Sequence, residues 1–199
     1  MIYNLIKQLN LFDDSAVFCS TNSVKKLRND KDIKLKQAYE DWDIKYMRRC
    51  NWLTSRFYNA VDIKLDEQPN VIMLSNCYFS ENTIIDPYTD AIQAIGRFRN
   101  GTASITHIVN INPNLRVQSK EEVRGYIRGL EYVHSLLTRY RDTAPNAEKR
   151  IVWQEFLENS PFNKFLVNGQ KSYYKIDCRV DDEVVKGYYS NKELLYSTY

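Results

Sequence analysis

D-P-Y-T-D-A-I-Q-A-I-G-R-F-R-N-G, running from Asp86 to Gly101, is the stretch on which the reading of this chain turns. Asp86 suits an N-cap and Pro87 the first helical position, where no amide hydrogen bond is lost. Ala91, Ile92, Ile95 and Phe98 recur at helical spacing, which predicts a buried stripe on one helix. Gln93 and Arg97 are four apart and share the opposite side with Gly96. Arg99 closes the last turn, and Asn100-Gly101 is placed to stop the helix. Two guanidinium groups beside a glycine suit a polyphosphate: the forks match phosphate oxygens, and glycine lets a ligand approach the backbone.

Outward from this stretch, apolar runs alternate with helical patterns. Strands are expected at Ala16–Cys19, Trp52–Phe57, Val71–Ser75 and Ile105–Ile111, and helices at Ile2–Leu11 and Ile33–Tyr46. In the second helix Leu35, Tyr39, Trp42 and Tyr46 would form the inner edge. The unbroken run V-I-M-L-S at Val71–Ser75 is of the kind found in parallel sheets buried on both faces. Alternating strands and helices predict an α/β domain with a mostly parallel sheet. Ligands of such sheets gather at the carboxyl ends of the strands. Two hydroxyl-rich turns are expected there. One is Ser20-Thr21-Asn22-Ser23, with Ser23 capping a following helix; the other is Thr54-Ser55. A strand, a hydroxyl turn and a helix N-terminus make either an anion site or plain capping.

After Ile111 the pattern changes. Val123, Tyr126, Ile127, Leu130, Val133, Leu137 and Tyr140 predict the inner stripe of a long helix. Arg124 and Arg128 fall on its outer side, as a solvated face or as a track for a nucleic-acid backbone. Glu148–Leu157 predicts a further helix with Ile151, Val152, Phe156 and Leu157 apolar. Tyr173–Val180 and Val184–Tyr189 flank Asp181-Asp182-Glu183 and predict a β-hairpin whose tyrosines pack on the sheet or stack on bases.

The bulk numbers set bounds. The 199 residues are 43% hydrophobic and 27% charged, which excludes a disordered chain and allows a real core. Net charge is +3, but residues 97–150 hold 10 basic and 5 acidic groups, so the positive excess begins at the arginine pair. No apolar run reaches membrane-spanning length and no signal-peptide pattern opens the chain, so no membrane partner is expected. Cys19, Cys50, Cys77 and Cys178 are scattered and the two histidines, His107 and His134, add no ligand spacing. The expectation is reduced thiols, a cytoplasmic setting and no metal site held by this chain alone.

The Gln93–Arg99 segment resembles motif VI of superfamily 2 helicases, Gln-x-x-Gly-Arg-x-x-Arg, with the second arginine two residues after the first rather than three. T-S-R-F-Y-N-A-V-D-I, Thr54 to Ile63, resembles motif V of the same family, with Ala60 where glycine is usual. C-S-T-N-S, Cys19 to Ser23, resembles a phosphate-contacting turn of the same domain. The resemblance covers roughly residues 1–115 and implies the second RecA-like domain of a DEAD/DEAH-type motor, a three-layer, mostly parallel sheet flanked by helices. Residues 116–199 then form a helical extension ending in the hairpin. No G-x-x-x-x-G-K-[ST] and no Asp-Glu box occurs, so the chain is expected to be a portion of a longer motor.

By resemblance, Arg97 and Arg99 offer positive charge to the γ-phosphate, either one being the arginine finger. Gln93 and Gly96 orient the site, and Asp62 approaches the nucleotide near its ribose. Thr21, Asn22, Thr54 and Ser55 grip strand phosphates. ATP and magnesium would be held mainly by a first motor domain outside this chain. The expected partners are that domain and a nucleic acid, DNA before RNA. The alternative reading is a non-catalytic module, derived from a helicase domain, that binds nucleic acid or protein.

Overall fold

The computed structural model describes residues 1–29, 35–58, 61–78 and 81–198. Part of the expected helix at Ile33–Tyr46 (Ile33 and Lys34) and Ala60 of the second motif lie outside them. The chain divides into two compact units, Met1–Asn110 and Ile111–Ser197.

The first unit is α/β. Helix α1 (Ile2–Gln8) leads to strand β1 (Ser15–Phe18), helix α2 (Thr21–Asn29), strand β2 (Ala38–Tyr39) and strand β3 (Cys50–Leu53). The three strands form a parallel sheet in the order β2-β1-β3, with Val17 opposite both Ala38 and Trp52. All four β1 residues are buried. Because successive side chains alternate across a strand, the two faces of β1 are covered differently. Val17 and Cys19 pack with Ile6, Val24 and Leu35 under α1 and α2. Ala16 and Phe18 pack with Phe57, Tyr39, Trp42 and Tyr46. That second cover is aromatic side chains on β2, loops and short 3-10 turns, not an α-helix.

Here the expectation for residues 33–46 fails. Ala38 and Tyr39 are a strand, and Ile44–Tyr46 is a single 3-10 turn capped by Asp43. The stripe Leu35, Tyr39, Trp42, Tyr46 does face inward, but the backbone pairing available along β1 (Val17 N–H to Gln37 C=O, 2.8 Å; Cys19 N–H to Tyr39 C=O, 3.0 Å) wins over helix propensity. Ser23 is likewise not a cap: α2 begins two residues earlier, and the Val24 N–H bonds to the Ser20 carbonyl at 2.9 Å. Residues Ser55–Phe57, expected as strand, make a 3-10 turn after β3.

Strand β4 (Asn70–Ser75), helix α3 (Asp90–Gly96) and strand β5 (Ser104–Val109) complete the unit. Strands β4 and β5 pair in parallel over six positions and form a second, separate two-stranded sheet among the described residues. Met73, Ile85 and Ala91 form a small core where α3 meets it. The parallel α/β character is therefore as expected. The layers differ, because two small sheets stand where one continuous sheet was expected.

The second unit is helical. Helix α4 (Lys120–Asp142) opens with a full capping box, Ser119 to the Glu122 amide and Glu122 to the Ser119 amide. Helix α5 (Ala147–Glu158) follows, capped by Asn146. Val123 and Ile127 pack with Phe162, Phe165, Ile176 and Val180. Tyr126, Val133 and Tyr140 of the expected inner stripe are exposed, as are Ile151, Val152 and Phe156 on α5, where only Leu157 is buried. Arg124 is on the outer side, in an ion pair with Asp177.

The expected hairpin at residues 173–189 is instead helix α6 (Tyr173–Tyr188), followed by helix α7 (Lys192–Tyr196). Ile176, Val180 and Glu183 lie three to four apart and turn one face inward. Glu183 is 5% exposed. Burial alone would push its carboxyl up, but the Gln118 amide and the Arg179 guanidinium hold it below its usual range. The true hairpin is shorter and earlier, strand β6 (Leu166–Val167) against strand β7 (Gln170–Lys171). Asn168 and Gly169 between them both have positive φ, 51° and 76°, the requirement of a tight two-residue turn.

Phe18 is fully buried and touches Tyr39, Trp42 and Phe57, with ring centroids 4.7–6.2 Å away. Phe18→Ala is expected to lower stability by about 3–5 kcal/mol, read as a shift in the urea midpoint.

Candidate functional site

The stretch from Asp86 to Gly101 folds differently from a single long helix. Asp86 does not cap the helix directly. Its carboxylate accepts from the Tyr88 amide (3.0 Å) and the Thr89 hydroxyl (2.6 Å), closing a turn around Pro87. The helix starts only at Asp90, after Thr89, and it ends at Gly96. Ala91 is buried, Ile95 and Phe98 are half-buried, and Ile92, expected inside, is exposed. The early stop has a clear cause. Ile63 forms a parallel bridge with Phe98: its amide donates to the Arg97 carbonyl at 2.8 Å, and its carbonyl accepts from the Arg99 amide at 2.9 Å. Ile63 itself is buried. Asn100-Gly101 therefore ends this bridge rather than the helix. Gly101, at φ 82°, donates its amide to the Phe98 carbonyl.

The bridge decides where the arginines go. Residues 97 and 99 flank the half-buried Phe98, the residue that bridges to Ile63. Both reach Asp62, the neighbour of Ile63. Arg99 Nη2 donates to Asp62 Oδ1 at 2.6 Å, and Arg97 Nη1 lies 3.7 Å from the same oxygen. Arg97 Nε also donates to the Gln93 carbonyl at 3.2 Å. The hydrogen bond from Arg99, with the positive charge of Arg99, Arg97 and Lys64 around it, holds the Asp62 carboxyl below its usual range. The Arg97, Arg99 and Asp62 side chains are 25%, 47% and 51% exposed, so the cluster faces solvent. Three cations surround one carboxylate, an arrangement that suits a multivalent anion.

The other candidate residues take simpler places. Gln93 is exposed and meets Arg97 through its backbone, not its amide side chain. Gly96 is exposed, and a Cβ there would meet nothing within 4 Å, so no protein packing demands glycine at this position. Thr21 and Asn22 open α2 just past the carboxyl end of β1, and Thr54 and Ser55 follow the carboxyl end of β3. Because β1 and β3 are parallel neighbours, both hydroxyl turns lie at one end of one sheet. The Thr54 amide bonds to the Phe18 carbonyl at 3.2 Å, which ties the two turns together. The Thr21 hydroxyl donates to Glu40, whereas Asn22 and Ser55 are exposed. Arg56, beside Ser55, lies 4.0 Å from Glu40 and from Asp41.

A polar set at the ends of β4 and β5 escaped the sequence reading. Ser75 Oγ and His107 Nε2 share a hydrogen bond of 2.9 Å, and Asn110 links the Cys77 amide (2.7 Å) to the Asn76 side chain (3.0 Å). Ser75 is 5% exposed, so the pair is built as an internal tie between strands rather than as a nucleophile. Their register, Ser75 against Val109 and Met73 against His107, is invisible before the strands are paired. Among the described residues no cluster of histidine, cysteine, aspartate or glutamate could hold a metal ion, and no helix is long and apolar enough to cross a membrane. Compared with protein-family models, curated proteins and solved structures, the chain matches none.

Burial pushes the His107 imidazole below its usual value of 6.5. The folded state thus prefers the neutral ring. Its contribution is complete above about pH 6.5 and is lost as pH falls below that value towards the folded one. His107→Gln is expected to flatten the loss of stability as pH falls below about 6.5, measured as urea midpoints over that fall.

Proposed function

We propose that this chain is the C-terminal motor-domain portion of an ATP-dependent nucleic-acid helicase, a superfamily 2 enzyme with a RecA-like second domain. The observation that carries the reading is the meeting of Arg97 and Arg99 at Asp62. The two motifs that suggested the family, some thirty residues apart in sequence, come together around one carboxylate. In this reading Arg97 and Arg99 face the triphosphate of ATP, which supplies the phosphoryl group that is cleaved. The guanidinium pair neutralises charge as that group departs, and either arginine can serve as the finger. Gln93 and Gly96 border the nucleotide. Magnesium and the remaining phosphate contacts belong to a first motor domain. Thr21, Asn22, Thr54 and Ser55, at one end of the β1–β3 sheet, hold the strand by its phosphates, without regard to sequence. DNA is the preferred strand.

A second reading is a non-catalytic module of the same descent that grips nucleic acid or a partner protein. It rests on the hydroxyl turns at one end of the β1–β3 sheet alone, without the arginine pair. It differs in requiring no ATP for salt-sensitive strand binding.

One measurement tests what both readings share, and a second tests the motor reading. The 199-residue chain alone is expected to hydrolyse ATP negligibly, with or without nucleic acid; robust stimulated turnover contradicts the division of labour proposed. In the complete motor, Arg97→Ala or Arg99→Ala is expected to lower turnover by about a thousandfold or more, with the circular dichroism spectrum unchanged. Near-normal turnover in both variants removes the finger assignment; salt-sensitive strand binding by the chain without ATP, and no turnover in any longer form, supports the binding module.

A further inference from the structure

We infer that Asp62 is a built-in competitor for the arginine pair: its carboxylate occupies the place of a phosphate oxygen, and an incoming polyphosphate must displace it. The inference rests on the reading of Arg97 and Arg99 as an anion site, and it assigns the regulation of that site to one residue.

The geometry sets the terms. A single oxygen, Oδ1 of Asp62, takes the hydrogen bond from Arg99 and lies within ion-pair distance of Arg97. Guanidinium groups bind carboxylate and phosphate oxygens with the same planar donor fork, so one anion can replace the other without rebuilding the site. The charged groups acting on Asp62 are Arg99, Arg97 and Lys64, all cationic, so its removal takes away the one carboxylate that Arg97 and Arg99 share among the described residues. The link is also easily exchanged. Arg99 and Asp62 are each about half exposed, and ion pairs in that setting are weak against competing ions. A phosphate chain brings several negative charges against one.

The backbone that places the arginines does not depend on the Asp62 side chain. The Ile63–Phe98 bridge is made by main-chain groups, and Ile63 is 2% exposed. Asp62 can therefore let go while the two arginines keep their common direction. The carboxylate keeps the pair from capturing stray anions, and only a ligand of higher charge overcomes it.

The test is calorimetric titration of the full chain with sodium tripolyphosphate at low salt. Asp62→Asn keeps the shape and an acceptor oxygen but removes the charge; Asp62→Ala removes the acceptor as well. Both are expected to bind tripolyphosphate about fivefold more tightly than the parent chain, the size set by removing one like charge at contact distance in water. Arg97→Ala and Arg99→Ala are expected to weaken binding, and adding either to Asp62→Asn should erase the gain. If the Asp62 variants bind no better than the parent while the arginine variants lose affinity, the competitor role is overturned and the anion site stands. If neither the parent nor Asp62→Asn binds, or the arginine variants bind as the parent does, the anion site and the competitor fall together.

Discussion

Two main-chain hydrogen bonds from Ile63 to the Arg97 carbonyl and the Arg99 amide govern the candidate site. They stop helix α3 and leave the arginines on either side of Phe98 within reach of Asp62. On a continued helix the same arginines would stand about two hundred degrees apart, because each residue advances the helix by roughly a hundred. No single phosphate group could then meet both. The spacing of two residues is thus compatible with a shared target, because the chain leaves the helix at Arg97 and turns through the Ile63–Phe98 bridge. Local backbone pairing, rather than helix propensity, places the charge.

The strand positions of the first unit were legible from their apolar runs, but burial was not: Val71–Ser75, expected to be covered on both faces, leaves Ile72 58% exposed. Val71–Ser75 and the strands around Ala16, Trp52 and Ile105 all fall within a few residues of their expected positions. The hydroxyl turns come to the strand ends for the same reason, since short connections leave them nowhere else to go. The largest errors of secondary structure come from the choice between a period of two and a period of 3.6 in aromatic-rich segments. Leu35, Tyr39, Trp42 and Tyr46 satisfy a helical spacing, yet they line a core as strand, loop and 3-10 turn. Aromatic side chains are long enough to reach a core from irregular backbone, so their spacing constrains the backbone poorly.

The reverse mistake occurred at residues 173–189. Their tyrosines and valines favour strands by propensity, and the acidic triplet looks like a turn. What overrides this is the inward face of Ile176, Val180 and Glu183, with the carboxylate of Glu183 satisfied by the Gln118 amide and Arg179. A partner amide sixty-five positions away cannot be read from local pattern. The Asn168-Gly169 pair was a readable hairpin signal and was passed over. At the candidate site, the meeting of Asp62 with both arginines was not legible, because it depends on the bridge made by their neighbours.

The separate β4–β5 sheet carries a kinetic consequence. Each of its pairings joins residues thirty-four positions apart, as Asn70 with Ser104, and a two-stranded parallel ribbon has no adjacent hairpin to bring its edges together. Its formation must wait for the closure of the long intervening loop, whereas α4 and α5 are neighbours joined by a short turn. Contacts of high sequence separation slow the search for the native state. The arginine-bearing segment lies inside that loop, and the first sheet closes over a nearly equal distance, Ser15 pairing with Cys50, so both sheets of the first unit wait on long closures.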